Sequence, residues 1–231
     1  MDNDLMPLLQ LCDSNFPSGA FSHSFGLETY IQEQVIVDKE SFKTAISTFL
    51  DKQLVFSDGL ACRLSYEILE SSRDIDMNEL LEIDRLLFVS SLAKETREGN
   101  RRIGERMAKL CMELYSSTTL GEYLHSIKNK QGYGHSALVF AFVAHHLQID
   151  KEKILSAYLF ASVSSLIQNA VRGVPLGQTD GQKLLVEMQV KIHEAKNRIM
   201  TLTKDDLGAV SPGLEIAQMR HERLPVRLFM S

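Results

Sequence analysis

Seven histidines, three cysteines and one imidazole flanked by hydroxyls are the residues from which metal, redox or acyl-transfer chemistry would have to be built. His23, His125, His135, His145, His146, His193 and His221 form no HxH, HxxxH or HExxH set, the spacings that put two ligands on one helical face. Cys12, Cys62 and Cys111 are widely spaced and odd in number, so they suggest neither a disulfide framework nor a CxxC site. That usage fits a reducing, cytoplasmic setting. In Ser22-His23-Ser24 the hydroxyls adjoin the imidazole, but adjacent residues rarely make a nucleophile and its base, and no GxSxG elbow is present. The stretch Gly177-Gln-Thr-Asp-Gly-Gln-Lys183 reads GxxxGxK where a phosphate loop needs GxxxxGK[ST] after a strand, which excludes nucleotide hydrolysis. The residues describe a chain that is not an enzyme, with no metal site and no cofactor. His23 is the one histidine singled out for more than a structural role.

The densest set of hydrogen-bonding groups lies between residues 164 and 185. Upstream of it, Ile154, Leu155, Tyr158, Leu159, Ala161, Val163, Leu166 and Ile167 spread around most of a helical circumference, as in a helix surrounded by protein. Gly173 and Pro175 end that helix, because proline lacks an N–H and pushes the residue before it out of the α region. Downstream, Leu185, Met188, Ile192, Ala195, Ile199 and Leu202 form a narrow apolar seam that needs a partner helix. Gln168, Asn169, Arg172, Gln178, Thr179, Asp180 and Gln182 crowd the corner between the two helices. Two readings follow: a solvated turn with Thr179 or Asp180 capping the second helix, or a recognition surface. If Arg172 is buried or half-buried it requires a carboxylate or several carbonyls.

Helical periodicity accounts for nearly everything else. It predicts helices over 5–12, 27–34, 39–70 with a break at Ser57-Asp58-Gly59, 77–91, 93–116 and 120–127. Within these, Leu80, Ile83, Leu87 and Val89 are expected to face a core, as are Ile103, Met107, Leu110 and Leu114. The apolar run 137–144 suits a buried strand or a buried helix; with no second strand to pair it, helix is expected. Residues 15–26 carry Phe16, Phe21 and Phe25 among turn formers without either period, an ordered loop pinned by aromatics. The fold expected is all-α, a single-domain compact helical bundle of about ten helices spanning 1–231, with a mobile N-terminus. The segment 211–231 opens with a short helix and ends as a basic, apolar tail. On its own this tail is expected to be mobile, exposing Leu224, Val226, Leu228 and Phe229 until a partner covers them.

Composition bounds the function. A 231-residue chain with 44% apolar residues, five prolines and thirteen glycines, free of low-complexity linkers, suits one domain. The net charge of −5 argues against a nucleic-acid partner, which demands a basic stripe. Positive charge is nonetheless concentrated at Lys94, Arg97, Arg101, Arg102, Arg106 and Lys109, a bias able to steer protein partners. No membrane is expected: Asp2 and Asp4 stand where a signal peptide has bases, and no apolar stretch approaches the roughly 20 residues of a span.

Four strings then carry a resemblance: FPSGAFSHSFGLE at 16–28, AKETREGNRRIG at 93–104, VPLGQTDGQ at 174–182 and MRHERLPVRLF at 219–229. In order and spacing they resemble the UreF family of urease accessory proteins. The resemblance implies an all-helical homodimer without catalysis of its own. It would bridge the accessory GTPase UreG and the scaffold protein UreD (also called UreH) on the urease apoprotein while nickel is inserted and the active site matures. Carried over by position, the partner-binding residues are Phe16, Pro17, Gly19, Phe21, Ser22, His23, Ser24, Gly26 and Glu28 of the loop, and Arg172, Pro175, Gln178, Asp180 and Gln182 of the corner. In the tail, which the resemblance implies becomes ordered on the scaffold partner, they are His221, Glu222, Arg223, Arg227, Leu228 and Phe229. The alternative is a regulator of the partner GTPase, with Arg172 or an arginine of 97–106 near the nucleotide. The chain departs from the family pattern at His23, where tyrosine is common, and at its RLFMS ending, where many members read RLFRS.

Overall fold

Apolar residues recur at three- and four-residue steps along the whole chain, and the computed structural model turns each such stretch into helix. It describes residues 4–71, 75–173, 176–209 and 211–231, and among them there is no strand. The helices are α1 (Leu5–Cys12), α2 (Leu27–Gln32), α3 (Lys39–Thr48), α4 (Asp58–Ser71), α5 (Met77–Ser90) and α6 (Lys94–Tyr115). They continue with α7 (Thr118–Lys128), α8 (Ser136–His146), α9 (Lys151–Gly173), α10 (Gln178–Ile199) and α11 (Pro212–His221). The ambiguous run is helix: every residue from Ala137 to Ala144 is buried in α8, which has no polar face because protein surrounds it. Between α3 and α4 the chain widens into a π-helical segment, Phe49–Leu54, which turns Phe49, Leu50 and Leu54 inward.

Two apolar cores result. The first gathers α4 to α8 around Tyr66, Leu80, Tyr123, Leu138 and Phe142. The second gathers α3, the π segment, α9 and α10 around Phe42, Leu50, Leu159, Leu184 and Met188. Helices α4 and α9 lie between them and give residues to both; Ile154 and Tyr158 belong to the first core, Leu155 and Leu159 to the second. The seam Leu185, Met188, Ile192, Ala195 and Ile199 is buried, and α9 is the main helix packed against α10.

Three expectations need correction. Val89 is 51% exposed because nine residues from Leu80 bring it to the opposite side of α5. Leu114 is 43% exposed, since the buried stripe of α6 continues through Ala108 and Cys111, whose small side chains allow close packing. Finally, α9 is 23 residues long and its most apolar 18-residue window has mean hydropathy 1.4, long and apolar enough by those measures to cross a membrane; half of that window is buried inside this fold.

Candidate functional site

The loop before α2 takes its shape from left-handed residues: Gly19 and Gly26 both have φ 89° and Phe25 has φ 51°. Glycine is required at 26 on a second count. A Cβ there would stand 2.8 Å from Gln218 Cγ, so α11 packs directly on the bare backbone. The turn delivers Glu28, in the first turn of α2, to the interior.

Glu28 is 3% exposed, and its carboxylate holds the tail. Oε1 accepts from Leu228 N at 2.6 Å, and Oε2 accepts from Phe229 N at 3.1 Å and meets His221 Nε2 at 2.8 Å. His221, fully buried, faces Glu95 Oε2 through Nδ1, also at 2.8 Å. Each ring nitrogen of His221 thus lies at hydrogen-bond distance from a carboxylate oxygen. Arg227 Nη1 reaches the other oxygen of Glu95 at 2.6 Å. Burial alone would raise the Glu95 carboxyl, but hydrogen bonds from His221 and Arg227 outweigh it and hold the group below the usual range. Two carboxylates thus face an imidazole ring and a guanidinium, partners that make a buried carboxylate tolerable.

Beyond this cluster the tail is stitched to the loop. Met230 N donates to Ser22 O at 2.8 Å. The Ser231 carbonyl oxygen accepts from Ser24 N at 2.7 Å, Ser24 Oγ at 2.7 Å and Phe25 N at 3.1 Å. Ser231 Oγ lies 2.8 Å from His23 Nδ1. His23 is buried and stacked on Phe25, and burial first, then the charges of Arg102 and Arg106, push its pKa down to about 4. It is therefore a neutral imidazole at neutral pH. The expectation for the tail is corrected at Phe229, which is 6% exposed beneath the Arg172 guanidinium at 5.1 Å; Leu224 is half-buried, while Val226 and Leu228 do remain exposed.

Arg172 sits at the end of α9 and is exposed, not half-buried. It donates to Phe21 O and to Asn169 Oδ1, both at 2.6 Å, and buried Asn169 donates in turn to His23 O at 2.8 Å. A Cβ on Gly173 would lie 3.8 Å from Phe229, so the end of α9 abuts the tail. Pro175 lies outside the described residues. Neither Thr179 nor Asp180 caps α10: the N-cap is Gly177, with no side-chain cap, and Asp180 pairs with Lys183 at 3.4 Å within the first turn. Gln178 and Gln182 face solvent.

The structure thus divides the partner-binding set. Gly19, His23, Ser24, Gly26, Glu28, His221 and Phe229 are buried. Pro17, Phe21, Arg172, Gln178, Gln182, Glu222, Arg223, Arg227 and Leu228 are exposed, with Phe16, Ser22 and Asp180 between the two. Glu95 and Asn169, not in that set, are structural members of the site. Glu95 was visible only as a polar residue within a quoted string, whereas Asn169 already stood among the polar groups of the corner at 164–185.

An open cleft of about 540 Å³ lies beside the clamp, bounded by His23, Lys94, Glu98, Arg102, Glu222 and Met230. A second cavity, about 180 Å³, runs between the cores. Gln53 Oε1, Ser91 Oγ, Thr96 Oγ1 and Gln218 Oε1 are buried without a protein partner, and all four residues line it; a polar cavity suits such atoms by admitting water. Burial pushes the thiols up, to about 11 at Cys12 and about 12 at Cys62 and Cys111, which makes them poor nucleophiles. Among the described residues no group of three or more His, Cys, Asp or Glu is placed to hold a metal ion.

The UreF family model matches residues 36–189. The urease accessory protein UreF of Bacillus sp. strain TB-90 is 64% identical over 229 residues, 99% of this chain and 100% of that protein. The proteins of the same name from Lachnoclostridium phytofermentans and Geobacillus kaustophilus are each 52% identical, over 231 and 230 residues. Those alignments cover 100% of this chain, with 100% of the first protein and 99% of the second. They therefore include the loop and the tail, which lie outside the family-model match.

Proposed function

The chain belongs to the UreF family, and from that premise we propose that it works in urease maturation as an accessory scaffold: a homodimer that bridges the GTPase UreG and the scaffold protein UreD/UreH on apo-urease while nickel is inserted. Nickel is cargo in this reading. The observation that supports it is the clamp. Glu28, His221, Glu95 and Arg227 bind the tail to the loop and to α6, and this fixed base leaves Phe21, Val226, Leu228 and Met230 in solvent. Exposed aromatic and aliphatic side chains on a rigid, hydrogen-bonded support are what a protein interface is built from.

For the other reading, in which an arginine enters the active site of the GTPase, Arg172 is poorly suited. Its guanidinium is already engaged by Phe21 O, Asn169 and the Phe229 ring. The scaffold reading is tested by metal analysis of urease from cells lacking this chain. Urease should be recovered largely without nickel, and restored by the full-length chain; fully metallated urease in its absence refutes the reading.

A further inference from the structure

The acids of α6 are mostly engaged and several of its bases are not. Glu95 is taken by His221 and Arg227, Glu98 by Arg101, and Glu105 by Arg101 and Lys109. Lys94, Arg102 and Arg106 are exposed and make no ion pair among the described residues. Lys94 and Arg102 line the open cleft. Arg106 extends the strip toward the loop, where a Cβ on Gly19 would lie 2.8 Å from its Nη1. Glu222 is the one acid of the cleft lining without an ion pair among the described residues. The same positive field reaches the cleft floor, where Arg102 and Arg106 oppose the charging of His23.

We propose that this cleft receives an acidic segment of a partner protein, whose carboxylates seat against Lys94, Arg102 and Arg106 while neighbouring apolar side chains cover Met230 and Phe21. The inference rests on the scaffold reading and names the chemistry of one partner's contact. Length favours a chain segment over a small anion. From residue 94 to 106 a helix rises about 18 Å, far beyond one phosphate but matched by five or six extended residues. The rim agrees: Met230 lines the cleft, and its N–H bonds the carbonyl of Ser22, next to exposed Phe21. Apolar groups beside arginines suit a polypeptide better than an inorganic ion.

The test has two arms on the full-length chain. In the first, a fluorescein-labelled octaglutamate peptide is titrated at low salt. It should bind the wild type and bind the Arg102→Glu/Arg106→Glu variant about tenfold or more weakly, with wild-type affinity falling as ionic strength rises. The Arg102→Lys/Arg106→Lys variant, which keeps the charge, should retain most of the binding and shows that any loss is not misfolding. Octaglutamate binding that survives charge reversal overturns the inference. So does displacement by inorganic phosphate much beyond that by chloride at equal ionic strength, which would mark a small-oxyanion site. In the second arm, capture of UreG and of UreD/UreH is compared for wild type and charge-reversed chain, and at least one capture should weaken about tenfold. Equal capture of both by the reversed chain overturns the cleft; capture of neither by the wild type contradicts the scaffold reading itself.

Discussion

At the scale of single residues, Glu28 carries three contacts on two oxygens in a place where water cannot substitute for them. Glu28→Gln keeps the shape but removes the charge opposite His221 and turns an N–H₂ toward donors. We expect a loss of about 3 kcal/mol in urea denaturation, with faster tryptic cleavage after Arg223 and Arg227; a variant as stable and as resistant as the wild type would show that the tail does not depend on the clamp. His23 gives a pH signature. Its folded pKa of about 4 lies below its ordinary 6.5, so the two states hold the same charge above 6.5, and below it the unfolded chain takes up a proton that the folded chain refuses. Stability is therefore lost as pH falls from 6.5 to 4, by up to about 3 kcal/mol. His23→Gln should flatten that part of the denaturation-midpoint profile, and an unchanged slope would contradict the assignment. Glu28, His221 and Arg227 could be named as site residues from the quoted strings, whereas Glu95, in the same strings, was not singled out and Asn169 stood out only as a polar group of the corner at 164–185. Each finds its partner, His221 or His23, 126 or 146 residues away, a distance that no periodicity reports.

At the scale of elements, α6 approaches the turn before α8 through a bare backbone. A Cβ on Gly104 would stand 1.9 Å from the Gly134 carbonyl oxygen, and Gly134 itself, at φ 88°, sits in a turn fixed by Asp84. The carboxylate of Asp84 accepts from the N–H groups of Tyr133, Gly134 and His135 at 2.6, 3.0 and 3.1 Å. Neither side can yield, so Gly104→Ala should cost at least about 2 kcal/mol. Gly121→Ala on α7, where the new methyl meets only the flexible end of Met112 at 3.4 Å, should instead gain about 0.5–1 kcal/mol from helix propensity. Urea denaturation of both variants checks the pair, and equal effects would contradict the packing described. Helix existence was legible because amphipathic spacing is a local property; α9 and α10 lie where the seam residues from Ile154 to Ile199 placed them, while Leu202, expected to continue the seam, falls beyond the end of α10 and is half-buried. The π segment and the capless start of α10 were not legible. Both depend on how neighbouring helices pack rather than on the residues of the element itself.

At the scale of the whole molecule, the loop at 16–28, the start of α6 and the segment 219–231 are far apart in sequence and meet at one buried charge cluster beside one cleft. The four quoted strings revealed that these stretches belong together in a family, but not that three of them form a single clamp, because that convergence is a product of the two-core packing. Helices α4 and α9 hold both cores in register, and so α2, α6 and α11 are held at fixed separation around Glu28 and His221. On the scaffold reading proposed above, this base presents a surface through which one chain holds two partners at once. Native mass spectrometry of the purified chain mixed with UreG and UreD/UreH distinguishes the outcomes. The expected result is one complex containing this chain as a dimer together with both partners; a spectrum showing the chain unbound to either partner contradicts the claim.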